Sequence, residues 1–118
     1  MKDSELRTRA KALALHIISV CDTIDTRKGR GVLVNQITRS STSIGANIHE
    51  SKYAHGTPDF ISKMQIALKE ASETGYWLEL LYKTNYIGEE QYNFLESKCK
   101  SLRAMLVSSI NTAKNNNK

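Results

Sequence analysis

A catalytic or metal centre in this chain would have to be built from its three histidines, two cysteines and twelve carboxylates. Their spacing builds none. Dinuclear metal bundles need Glu-x-x-His on two helices with further inward glutamates, and no Glu here is followed three residues on by His. His49-Glu50 is followed by Ser51, Lys52 and Tyr53, so the His-Glu-x-x-His zinc pair is missing. Gly29-Arg30-Gly31 lacks the Lys-Ser/Thr of a phosphate-binding loop. Cys21 and Cys99 stand apart, with no Cys-x-x-Cys, at or beside apolar helical positions. Buried thiols are the expected reading, ahead of a disulfide or a ligand pair. His16 borders an apolar seam with no ligand type three or four residues on, which suits a packed or edge residue. The expectation is a protein that is not an enzyme, with no catalytic residue, no metal and no cofactor.

The unusual polar residues lie instead in one helical stretch, Gln36 to Glu50. Val34, Ile37, Ser41, Ile44 and Ile48 recur at spacings of three and four, the mark of a face that packs on other helices. Beside them run Gln36, Ser40, Ser43, Asn47 and Glu50 with the same alternation. A surface helix would fill that flank with long charged side chains. Small residues let another backbone approach, and Gln, Asn and Glu can bond across to it. These residues are therefore expected to fix register against a neighbouring helix or subunit, ahead of binding a ligand. Arg39, at the edge of the same helix, can pair with a carboxylate such as Glu50 across the bundle or reach a phosphate.

The formal net charge of +5 is unevenly spread. Lys98, Lys100, Arg103, Lys114 and Lys118 follow one another with no acid from Lys98 onward. A second group, Arg27, Lys28 and Arg30, falls in an expected turn, and a third, Arg7, Arg9 and Lys11, near the start. Segregated positive charge points to RNA or DNA as a partner, although moderate charge also serves solubility alone. Tyr76, Trp77, Tyr82 and Tyr86 gather aromatic mass that could stack bases, while core filling and a subunit contact are the stronger readings.

The elements that must position these groups are all helical. Leu6, Ala10, Leu13, Ile17, Val20 and Ile24 form a heptad seam over residues 3 to about 27, closed by Gly29 and Gly31. The second helix spans about Val32 to Ala54, with Gly45 inside it marking close packing or a slight bend. Thr57-Pro58-Asp59 reads as N-cap, first helical position and first-turn acid of a third helix, which carries Phe60, Met64, Ala67, Ala71, Leu78 and Leu81 and stops near Asn85. Gly88-Glu89-Glu90 opens a fourth, with Tyr92, Leu95, Cys99, Leu102 and Leu106 as its seam. Four helices joined by short turns predict an all-α, antiparallel up-down-up-down four-helix bundle: one domain over 3–113 and a polar flexible tail over 114–118. No apolar run approaches the roughly 20 residues needed to span a bilayer. The first residues are too polar for a secretory signal, so no membrane role and a cytoplasmic location are expected.

Gln36-Ile37-x-Arg39-Ser40-x-x-Ser43-Ile44-x-Ala46-Asn47-Ile48-x-Glu50 resembles the signature helix of the bacterial four-helix-bundle family encoded in intervening sequences of 23S ribosomal RNA genes. The likeness continues through Asp59-Phe60, Ile66-Ala67-Leu68-Lys69-Glu70-Ala71-x-Glu73-Thr74 and Tyr86-Ile87, and covers roughly residues 5 to 113. Gly45 stands where the family often has Pro, and Ser51-Lys52-Tyr53 stand where a Gly and further basic residues often follow the Glu. The resemblance implies a ring-like homo-oligomer, a homopentamer. It is distantly similar to the accessory variability protein of diversity-generating retroelements, a basic pentameric barrel that engages a reverse transcriptase and nucleic acid. It implies no catalytic residue. Nucleic-acid binding through the three basic segments, as accessory to a reverse transcriptase or another protein, is the leading expectation; a protein–protein scaffold with no nucleic-acid role is the alternative.

Overall fold

Aliphatic side chains at heptad spacing on four successive segments can leave water only by facing one another, and they do. The computed structural model describes residues 3–27 and 29–116, with the side chains of Asp3 and Ser4 outside that description. Four helices form: α1 (Asp3–Cys21), α2 (Gly31–Ser51), α3 (Thr57–Lys83) and α4 (Glu89–Asn116). Each packs on two neighbours, in the cycle α1–α2–α3–α4–α1. Short connections make successive helices antiparallel, so the expected four-helix bundle is what forms, a rod of 51 × 22 × 19 Å. Its core is built from the expected seams. Leu6, Leu13 and Ile17 meet Ile37, Ile44, Met64, Leu78, Leu95, Leu102 and Leu106, each at most 2% exposed.

The ends of the elements depart from the sequence reading at several points, among them α2, which stops at Ser51 rather than near Ala54, and α4, which runs into the expected tail. α1 stops at Cys21 rather than near residue 27. The hydroxyl of Thr23 donates to the Val20 carbonyl at 2.6 Å, and the Asp25 carboxylate takes the Arg27 amide at 2.9 Å and its guanidinium at 2.8 Å. Side-chain bonds of this kind give the backbone an alternative to the helical ladder. Gly31 does not terminate α1; it opens α2, and only Gly29 of that pair takes a positive φ, +88°. Gly56, not Thr57, caps α3, at φ +103°, while Asp59 accepts the His55 amide at 3.0 Å.

The stop at Asn85 is as expected. Asn85 takes φ 65°, Tyr86 donates its amide to Leu81 at 2.9 Å and Asn85 to Tyr82 at 3.0 Å. This pair of reversed bonds satisfies the last carbonyls of the helix. α4 continues through Ala113 and Lys114 to Asn116.

Two interior glycines serve different ends. A Cβ on Gly45 would touch the Cβ of Ala10 at 3.6 Å, an ordinary contact where α1 and α2 approach. A Cβ on Gly75 would fall 2.9 Å from the Arg103 guanidinium and 3.3 Å from Glu96. Gly45→Ala should therefore raise stability by about 0.5–1 kcal/mol through helix propensity. Gly75→Ala should show no such gain, because Arg103 must move. Denaturant unfolding of the two variants measures the difference.

Candidate nucleic-acid interface

The polar seam of α2 lies mainly against α3. Ser40 and Thr74 are fully buried and share a hydrogen bond of 2.9 Å. Thr74 also donates to the Glu70 carbonyl at 2.9 Å, which leaves its oxygen to accept from Ser40. Arg39 reaches Glu70 at 3.2 Å, Glu73 at 2.6 Å and the Gln36 side chain at 3.5 Å. Glu70 and then Glu73 hold its guanidinium above the ordinary value. Glu50 is not its partner. The two share α2 eleven residues apart, roughly 16 Å along the axis. Glu50 instead pairs with Lys63 of α3 at 3.3 Å, its side chain 57% exposed. Ser43 and Asn47 bond within α2: the Asn47 amide donates to the Ser43 carbonyl at 2.9 Å, and both residues are half-buried.

A second polar group lies between α3 and α4. Arg103 donates to Glu96 and to the Cys99 sulfur, at 3.1 and 3.2 Å, in the space that Gly75 leaves. Cys99 in turn donates to the Ala71 carbonyl at 3.2 Å. Arg103 is thus held by the bundle and is not an open surface cation as its place in the basic segment suggested. Burial pushes the Cys99 thiol up to about 11, against the opposing pull of Arg103. Burial likewise raises Cys21, against a hydrogen bond to Thr38. Both cysteines are free and buried. Among the described residues no group of three His, Cys, Asp or Glu side chains could hold a metal ion.

The remaining basic residues separate into places the sequence could not show. Arg27 is paired with Asp25 in the α1–α2 turn. Arg30 rests on the Tyr86 ring at 4.8 Å, joining that turn to the start of the α3–α4 turn. Lys28 lies outside the described residues. Lys98 and Lys100, two residues apart on α4, point about 200° apart, so the segment is not one patch.

Along α1, by contrast, cations line grooves on both flanks. Arg7 and Lys11 line the α1–α2 groove, of about 720 Å³, whose other walls include Gly45, Ala46 and His49. Arg9 and Lys98 line the smaller α1–α4 groove with Phe94 and His16. Arg9 also pairs with Glu5 at 3.2 Å. Among the described residues neither groove is lined by a carboxylate.

Most of the aromatic group is internal. Tyr82 stacks on Tyr92 at 4.6 Å, Trp77 packs against the core, and Tyr86 lies under Arg30. Tyr76 alone of the expected four stays largely exposed, at 54%. Phe94 was missed. It sits one residue before Leu95 on the α4 seam, an offset that turns it outward, and four residues before Lys98, which places the two on one face.

The 23S rRNA-intervening sequence protein family model matches residues 2–108. A crystal structure of a protein of unknown function from the S23 ribosomal protein family of Bacteroides thetaiotaomicron is 41% identical, with a TM-score of 0.88 over 94% of this chain and 99% of that one. No curated protein matches the chain. Among the described residues no helix is long and apolar enough to cross a membrane.

The raised Cys99 thiol makes folding pH-dependent. An unfolded thiol loses its proton near 9.0 and the buried one near 11. The contribution to stability is therefore full below pH 9 and falls as pH rises toward 11. Wild-type protein should lose more stability than Cys99→Ala over that window, measured by urea unfolding at a series of pH values.

Proposed function

We propose, from the premise that this chain belongs to the 23S rRNA-intervening sequence protein family, that it is a non-enzymatic, homo-oligomeric bundle of the cytoplasm that binds RNA or DNA along α1. The observation that carries this reading is the segregation of charge. Carboxylates are paired within the bundle, Glu70 and Glu73 with Arg39, Glu50 with Lys63 and Glu96 with Arg103. The grooves beside α1 are lined by Arg7, Lys11, Arg9 and Lys98 and, among the described residues, by no carboxylate, with Glu5 beside Arg9 the acid nearest to them. A polyanion meets mainly cations there, and each phosphate contact releases a counterion.

The homopentamer is what the resemblance implies, and it would have to leave the grooves beside α1 open. A reverse transcriptase is the protein partner the same resemblance suggests. A protein-binding scaffold is favoured instead by Val32 and Tyr53, exposed at 67% and 66%.

Anisotropy titration of structured RNA and of DNA at two salt concentrations tests the reading. Arg7→Gln, Lys11→Gln and Lys98→Gln together should weaken binding and lower the slope of log K against log[salt] by about two to three. Wild-type affinity no better than that of a charge-matched control protein, or independent of salt, rejects it.

A further inference from the structure

Of the two grooves beside α1, the α1–α4 groove has a feature that charge alone does not call for. Phe94 is 46% exposed on the outer face of α4. His16 of α1 meets its ring edge-on, with centroids 5.3 Å apart and planes at 82°. The Lys98 ammonium lies over the ring at 5.5 Å. Arg9 stands on the α1 side, and Ala12 and Leu13 give the groove, of about 350 Å³, an apolar floor.

We propose that this groove is a binding site for an unpaired nucleotide of single-stranded nucleic acid, with the base stacked on Phe94 and its phosphate held by Lys98 and Arg9. The proposal rests on the nucleic-acid reading above and names the site and the form of the ligand.

The chemistry is specific to a nucleotide. An open aromatic face stacks any base, because every base has a π-face. Here His16 braces the ring against α1, which fixes the plane a base must meet. Lys98 is on a long flexible stem and can turn from the ring to a phosphate when a base arrives. The Arg9–Glu5 ion pair has both side chains 47% exposed, so solvent screens it and Arg9 can exchange Glu5 for a phosphate. Among the described residues no carboxylate lines the groove itself; Glu5, beside Arg9, is the acid nearest to it. A duplex offers none of this, since its bases are stacked on each other. Unstacked bases are the ones aromatic side chains recognise.

The test uses full-length protein, a uridine oligomer, the matching thymidine oligomer and a base-paired RNA of equal length, titrated at one low salt concentration. Phe94→Leu should weaken the single strands by about fivefold or more, the lower end of what one base–aromatic stack is worth. It should leave the duplex within the error of the measurement. Phe94→Trp should restore single-strand binding.

Equal single-strand affinity of wild type and Phe94→Leu overturns the proposal, as does an equal loss on single strand and duplex. A Phe94→Leu protein of changed mass in light scattering overturns it too, in favour of a subunit contact. Wild type that binds duplex but not single strands sinks this site and leaves the broader reading standing. Wild type that binds no nucleic acid sinks both.

Discussion

The antiparallel registration of α2 on α3 is the constraint on which the other placements depend. Apolar heptad faces tolerate sliding, because one aliphatic contact replaces another. A buried hydroxyl does not. Ser40 and Thr74 are both fully buried and satisfy one another at 2.9 Å. Shifting α2 along α3 would break their shared bond and leave each hydroxyl only a carbonyl of its own helix, Ile37 for Ser40 and Glu70 for Thr74, at about 0.5–1.5 kcal/mol for the bond lost. Arg39 on Glu70 and Glu73, and Glu50 on Lys63, mark the same registration at the half-exposed rim. As residue numbers rise along α2, those of their partners fall along α3. The outer helices then seat by shape: α1 where Gly45 meets Ala10, and α4 where Gly75 leaves room for Arg103.

That seating also distributes the charge. The two interfaces of α3 draw in most of the paired glutamates together with Arg39, Lys63 and Arg103. What remains along α1 is cationic without compensation in the groove walls. Fold and surface potential are therefore linked: the polar contacts that set the bundle's register also pair Glu50, Glu70, Glu73 and Glu96 with cations of the same interfaces. Long-range attraction of a polyanion follows from charge placement alone.

The sequence reveals the bundle because each apolar seam repeats at intervals of three and four, and burial follows those residues nearly one for one. It also points to Ser40, small and polar in a place where a surface helix would carry length and charge. Partners are another matter. For Arg39 the sequence offers a carboxylate such as Glu50 or a phosphate, and not Glu70 and Glu73, because spacing shows which residues share a face and not which helix stands opposite. Arg103 read as surface charge for the same reason. The early end of α1 depends on Asp25 capturing Arg27, a contest between side-chain and helical hydrogen bonds that heptad periodicity does not register. Phe94 escaped notice because the aromatic residues were judged as one cluster near the end of α3, whereas its neighbours are His16 and Lys98, one of them far away in the chain.

An even number of alternating helices returns the chain to the end from which it set out. The start of α1 and the end of α4 lie toward the same pole, because those two helices pack side by side in opposite directions. A short linker joining residues 116 and 3, with a cut in the 52–56 connection, would reorder the polypeptide without disturbing any helix pairing. Circular permutation is accordingly open to this architecture.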